Sequence, residues 1–315
     1  MQGYILRRLV LAVPTLFGIT IVVFVMMRFI PGDVIDVIFG DYGTNPELKQ
    51  KILDDLGLDE PWPEQYARYV GQLVKGDLGH SMISGRSVNT ELKTRIPVTL
   101  QMGLMAMVFS LLIALPVGVV SAVRQDTVID YIGRTFAIGL LAIPNFFFAI
   151  VLLIILARQF HWVPPPKYVG ILDNPVENLQ IMILPSLVLG AALAGSVMRF
   201  TRTQMLEVMR QDYIRTARAK GLQERAVVIR HAIRNSFIPV ITVIGIQLPV
   251  LLGGTLIIES IFNVPGVGRY LVSSIAQKDY PVVQSVNLVL AVFIVLINIA
   301  VDVTYGVIDP RIRFR

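Results

Sequence analysis

Histidine is the side chain most often used as a metal ligand or general base near neutral pH. It occurs here as His80, His161 and His231, each expected in a loop. Their spacing does not make the HExxH arrangement that sets two imidazoles on one helix face around zinc. No GxSxG elbow presents a serine nucleophile, and no GxxxxGK[ST] loop cradles the phosphates of a nucleotide. Cysteine is absent, which removes thiolate catalysis, disulfides and cysteine metal sites. An intramembrane enzyme would be left without reacting groups, so the expectation is a chain that is not an enzyme and carries no cofactor or metal of its own. The dense chemistry is positive charge instead. Arg199, Arg202, Arg210, Arg215, Arg218, Lys220, Arg225, Arg230 and Arg234 fall in one internal stretch between two apolar segments.

The elements that must hold this stretch are set by hydropathy. The chain is 54% hydrophobic with a formal charge of +6, and its cations cluster between apolar runs rather than spreading over a soluble face. That distribution points to a lipid bilayer and not to nucleic acid. A spanning helix needs roughly 20 apolar residues. Stretches near 9–29, 98–123, 135–157, 181–199, 237–258 and 282–304 meet the requirement, which predicts an all-α bundle of six transmembrane helices. Arg7 and Arg8 precede an apolar run longer than a signal-peptide core, so the first run is expected to be a retained span. Pro14, Pro116, Pro144, Pro185, Pro249, Gly253 and Gly254 lie inside these runs, where neighbouring helices can re-satisfy the backbone.

Arg7, Arg8, Arg124, Arg134, the 199–236 loop and the tail with Arg311, Arg313 and Arg315 share one side. The short loops opposite hold Arg158, Lys167, Arg269 and Lys278. The positive-inside rule then predicts cytoplasmic termini and a cytoplasmic 199–236 loop. The chain divides into a first span at 1–29, an extracytoplasmic helical loop at 30–97, a transmembrane region at 98–306 and a cytoplasmic tail at 307–315. In the external loop, Asn45 and Pro46 open one expected helix. Tyr66, Tyr69, Val70 and Leu73, ending at Gly76, mark another. The six span interiors lack Asp, Glu, Lys, Arg and His, which disfavours a secondary carrier with an ionisable coupling site.

In the basic loop, Met205, Met209, Tyr213, Ile214 and Ala217 recur at helical spacing, and Gly221 is a helix terminator. Beyond it, Leu222, Ala226, Ile229 and Ile233 make a narrow apolar stripe, with Gln223, Glu224, Arg230, His231 and Arg234 opposite. Such an element suits anionic headgroups, a solvated positive-inside loop or a partner's groove. A helix–glycine–helix with a shaped apolar edge exceeds what retention on the inner side requires.

The stretch "DYIRTARAKGLQERAVVIRHAIRNSFIPV" resembles the cytoplasmic EAA loop of binding-protein-dependent ABC importer permeases, in the branch serving dipeptides, oligopeptides and nickel. The broader motif reads Glu-Ala-Ala, three residues, Gly, nine residues, Ile-x-Leu-Pro. Ala217 and Gly221 match it, Arg215 and Thr216 stand in its first two positions, and "HAIR" replaces its end. "RRLVLAVPTLFGITIVVFVMMRFIPGD", "LGLDEPWPEQYARYVGQLVKGDLGHSM", "RIPVTLQ", "ESIFNVPGVGRYLVSSIAQKDYPVVQS" and "DVTYGVIDPRIR" are similar to the same family, covering nearly the whole chain in order. The long external loop resembles that of the first of its two paired permeases.

The resemblance implies a type I importer permease fold in the cell inner membrane. It implies a second homologous permease, two ATP-binding cassette ATPase subunits that bind the ATP and Mg, and an extracytoplasmic solute-binding protein. Arg215, Thr216, Ala217, Arg218, Ala219, Lys220, Gly221, Leu222, Glu224, Arg225 and Ile229 would then contact an ATPase. Gln247, Gly253, Gly254, Glu259 and Phe262 on and after the fifth span are candidates for the translocation path or outer gate, with close helix packing as the competing role of the two glycines. The branch also includes permeases for nickel, glutathione and oligosaccharides.

Overall fold

The computed structural model describes residues 2–29, 57, 59–165 and 167–308. Among these every regular element is a helix, apart from one isolated bridge between His80 and Ser87. The elements are α1 (Gln2–Phe29), α2 (Trp62–Val74), α3 (Val88–Val123), α4 (Val128–Ala142), α5 (Asn145–Phe160) and α6 (Pro175–Met209). They continue with α7 (Asp212–Ala219), α8 (Glu224–Ala226), a π-helical segment (Val227–Ile233), α9 (Arg234–Ile261), α10 (Val267–Ala276) and α11 (Tyr280–Ile308). The helix expected to open at Asn45 lies outside the described residues. Contacts gather the chain into two compact units. One comprises Thr99–Val264 with the chain from Ile297; the other comprises Gln2–Val98 with Pro265–Leu296.

Among the described residues, four helices are long and apolar enough to cross a membrane, and the number reaches six if each of two bent pairs counts as one span. α1 shows why such a helix is stable in lipid. Its 28 residues rise about 42 Å, more than a hydrocarbon core needs. Thr15 and Thr20 turn their hydroxyls onto the carbonyls of Leu11 and Phe17, at 3.1 and 2.7 Å, so neither is left unsatisfied. Leu9, Val10, Val13, Phe17 and Val22 stay exposed on the isolated chain, as residues facing lipid must.

The third span departs from expectation. A single helix was expected over 135–157; instead α4 and α5 meet at 100°. Ile143 is extended (φ −88°, ψ 121°), and Pro144 caps the next helix at φ −60°, ψ 136°. Proline clashes with a helical residue before it and offers no N–H, so the helix ends there. Helix α3 also begins at Val88, ahead of the residue 98 at which its span was expected to start. Glu91 and Arg95, one turn apart and bonded at 2.6 Å, favour helix in the added turns.

In the larger unit, α6 is the central helix. Asn174 caps it by accepting from the Glu177 N–H at 3.3 Å, and Pro175 takes the first turn, where a missing N–H costs nothing. Its small residues let neighbours approach. A Cβ on Gly190 would strike the carbonyl oxygen of Ala106 on α3. One on Gly195 would come within 2.8 Å of the Ala137 carbonyl oxygen on α4. Ala114, Ala137, Ala194, Val197, Met198 and Val240 close the core around these crossings. Small side chains and backbone contact hold such helices together in lipid, where apolar burial gives no driving force.

In the other unit, α2 lies on the C-terminal half of α1 through an aromatic cluster. Tyr66 packs edge-on to Phe17 and Phe24, with centroids 6.1 and 5.2 Å away, and its hydroxyl meets that of Thr20 at 2.8 Å. The helix ends as expected at Gly76, which adopts the left-handed φ of +77°. The connection to α3 is tied down by a buried carboxylate. Asp279 accepts from the Ser81 hydroxyl and, at 3.1 Å, from the Met82 N–H.

Candidate functional site

The basic loop folds as a helix, a tight turn and a second helix of mixed pitch. The expected run from Met205 through Ala217 is interrupted at Arg210 and Gln211, where α6 stops and α7 starts. Gly221 then closes α7 at φ +78°. Its N–H reaches the Arg218 carbonyl at 2.9 Å, and the Leu222 N–H reaches that of Ala217 at 3.4 Å, the paired bonds of a Schellman cap. No atom would obstruct a Cβ at Gly221. Glycine is required there by backbone conformation alone.

Across this turn the Arg218 guanidinium donates to both oxygens of Glu224, at 3.0 and 2.7 Å. That fork raises the Arg218 pKa further above its ordinary range. With side-chain exposures of 40% and 52% the pair contributes little stability; its effect is to fix the angle between the two helices.

The segment after Gly221 differs from the expected α-helix. Only Glu224–Ala226 is α-helical, and Val227–Ile233 is wound as a π-helix. The wider turn breaks the i, i+4, i+7 register, so Leu222, Ala226, Ile229 and Ile233 do not form one continuous face. Val227, Val228 and Ala232 turn inward instead, packing with Met205, Ile214, Ala217 and Ala122. Leu222 and Ile229 remain outward, at 43% and 51% exposure. His231, expected in a loop, lies in the π-helix. Beside Ile229 runs an apolar groove of about 560 Å³, lined by Val120, Val123, Ile129, Val228 and Ile233 among others. Arg215, Thr216, Ala217, Arg218, Ala219, Lys220, Gly221, Leu222, Glu224, Arg225 and Ile229 are thus brought into one helix–turn–helix, with Ala217 alone among them fully inside it.

A polar node supports this loop from α6, and the sequence reading missed it. Arg202 donates through Nε and Nη2 to the two oxygens of Asp130, both at 2.7 Å. Asp130 is fully buried and also accepts from the Ser121 hydroxyl and, at 3.0 Å, from the Asp126 N–H. The node joins α3, α4 and α6 within one turn of Met205. Its trace in the sequence is a pair of acids, Asp126 and Asp130, between Arg124 and Arg134 in a turn otherwise counted for positive charge.

The candidates on and after the fifth span are strung along α9 rather than gathered in one place. Gln247 donates to Ser196 on α6 at 2.9 Å. Gly253 is exposed, with open space where a side chain would project, whereas a Cβ on Gly254 would lie 3.0 Å from Leu189. Glu259 is fully buried and accepts from Thr99 at 2.6 Å. Phe262, the C-cap of α9, is buried as well.

A nearly all-helical membrane protein, with long apolar spans, a broken third span and a basic helix–turn–helix between its fourth and fifth, has the architecture of a type I importer permease. A solved structure described as an amino acid ABC transporter with histidines shares this fold. It has a TM-score of 0.50 and 12% identity, over 71% of this chain and 95% of the other. The family model for the binding-protein-dependent transport system inner membrane component matches residues 114–314, and that for the N-terminal part of such components matches 1–103. The chain belongs to this family; it is a multi-pass membrane component of a transport system that works with other subunits, and not an enzyme. It is 39% identical to the dipeptide transport system permease protein DppB of Escherichia coli (strain K12), over all of both chains. It is 39% identical to the oligopeptide transport system permease protein AppB of Bacillus subtilis (strain 168), and 38% to the glutathione transport system permease protein GsiC of Escherichia coli, again over the full length of each.

Proposed function

We propose that the chain is a permease subunit of an ATP-driven importer of short peptides, paired with a second permease. Two cytoplasmic ATPases would drive it, and an extracytoplasmic binding protein would supply it. Both termini and the 199–236 loop are cytoplasmic in this reading, as the distribution of arginine favours. The observation that carries it is the outward edge of Leu222 and Ile229 on a loop whose other face is anchored through Val227, Val228, Ala217 and Met205. An exposed apolar edge on a firmly held helix–turn–helix suits insertion into a partner's groove, and the anchored face would pass the partner's movement to α6. Peptide is favoured as substrate because the full-length relatives are named for dipeptide, oligopeptide and glutathione transport. Glutathione itself is the second reading, on the same ground.

Replacing Gly221 with valine, or Glu224 and Arg225 together with alanine, is expected to cut ATP-dependent uptake by about tenfold or more. That corresponds to the loss of a coupling energy of ordinary size. Insertion and basal ATP hydrolysis by the assembled complex are expected to persist. The measurement is uptake per ATP hydrolysed in proteoliposomes; an unchanged ratio would count against the reading. Solute movement by this chain alone, without an ATPase, would replace it with a channel or carrier.

A further inference from the structure

A cavity of about 420 Å³ opens between the outer end of α1, helix α2, the 78–82 segment and the start of α11. Its volume lies in the range of small-molecule sites, and its lining is rich in hydrogen-bonding side chains: Arg28, Gln65, Tyr69, Gln72, His80 and Gln284. Arg28 is half-buried. It donates to the Phe24 carbonyl at 3.0 Å and to Gln65, and its guanidinium lies 3.4 Å from the Phe24 ring centroid. Among the described residues no carboxylate pairs with it. A partly buried guanidinium without a counter-charge is costly and so is retained for a reason. Two further wall residues carry unmet polarity. The Tyr69 hydroxyl and Gln284 Nε2 are buried and have no hydrogen-bond partner.

A cation with no carboxylate partner among the described residues, on the wall of one small-molecule-sized space lined by amide side chains, defines a complementary ligand. It carries one negative charge on a planar acceptor that suits the guanidinium fork, joined to a polar body able to engage amide side chains. We infer that this cavity binds the carboxylate end of a short peptide, with Arg28 as the anion-binding residue and Gln65, Tyr69 and Gln284 around it. The inference rests on the reading of the chain as a peptide importer subunit, and gives it a carboxylate-recognising site on α1 and α2.

The test is equilibrium binding of dialanine and of dialanine amide to the full chain in lipid nanodiscs. Dialanine is expected to bind at least tenfold more tightly than its amide. Arg28→Gln abolishes that preference, and Arg28→Lys, which keeps the charge, retains part of it. Gln284→Leu weakens dialanine binding severalfold without lowering the unfolding temperature, because it removes an amide from the cavity wall and also removes a buried polar atom that has no partner. Equal binding of acid and amide, an unchanged preference in Arg28→Gln, or no dialanine binding would each overturn the inference. So would Arg28-dependent capture of a solute-binding protein with no response to dialanine. Uptake by the assembled transporter separates the two levels. ATP-dependent peptide uptake unaffected by Arg28→Gln removes the site and leaves the importer; Arg28-dependent dialanine binding without uptake does the reverse.

Discussion

Asp130→Ala destabilises the protein by about 3–5 kcal/mol, the cost of stranding one partner of a buried ion pair. It appears as a lower unfolding midpoint of the purified chain in detergent. Asp130 is fully buried and receives both arms of the Arg202 fork, a hydroxyl and a backbone N–H. Removing the carboxylate leaves the guanidinium, itself only 18% exposed, without its hydrogen-bonded anion. The double variant Asp130→Leu with Arg202→Met is expected to recover most of the loss, because the desolvation cost of both charges disappears together. An unchanged midpoint in Asp130→Ala would show that the pair holds nothing. Arg202 sits on α6 one turn before Met205, which packs against Ile214 and Ala217. Asp130→Ala protein that still folds is therefore expected to lose coupling as well.

Gly190→Ala is the second variant with a large effect, and its sign is what makes it informative. In a helix interior alanine is favoured over glycine by about 1 kcal/mol, so propensity alone predicts a gain. The added methyl would instead collide with the Ala106 carbonyl oxygen, a backbone atom that cannot rotate away. Forcing α3 and α6 apart costs about 1–3 kcal/mol, as overpacking does, and undoes the neighbouring Ala114–Ala194 contacts. Gly253→Ala is the matched control on α9. It faces open space and is expected to be neutral or slightly stabilising. Equal midpoints for the two variants would show that the α3–α6 crossing is looser than its geometry indicates.

Several features were readable in the sequence because their causes are local. Hydropathy over a window marks helices that must cross a bilayer, whatever their neighbours. Gly76 and Gly221 end α2 and α7 in left-handed conformations because few other residues sit there without strain. The basic loop was found by its charge and its apolar spacing, and eleven of its residues fall in one helix–turn–helix. The third span shows where local reasoning misjudged. Pro144 was in plain view, but a proline can kink a spanning helix or end it, and local pattern does not say which.

Other features had no local signature. The π-helical winding of Val227–Ile233 depends on which of its residues find Met205, Ile214 and Ala217 to pack against. Glu259 was a candidate for the translocation path or outer gate, and its burial beside Thr99, far earlier in the chain, could not be read from the residues around it. No pattern in the sequence singles out Arg28, and only the fold of α2 and α11 beside it reveals a cation with no carboxylate partner among the described residues.

By itself the amino-acid sequence determined a polytopic helical membrane protein, the arginine asymmetry, a glycine-hinged basic loop and a family resemblance carried by motifs in order. These follow from solvent partitioning and backbone sterics, which act on neighbours in the chain. The tertiary structure alone decided which charges are paired, which glycines are crossings, which face of the loop is left outward and where a polar cavity opens. Those depend on atoms far apart in sequence, such as Asp130 and Arg202, being brought within 2.7 Å, and no window along the chain contains both.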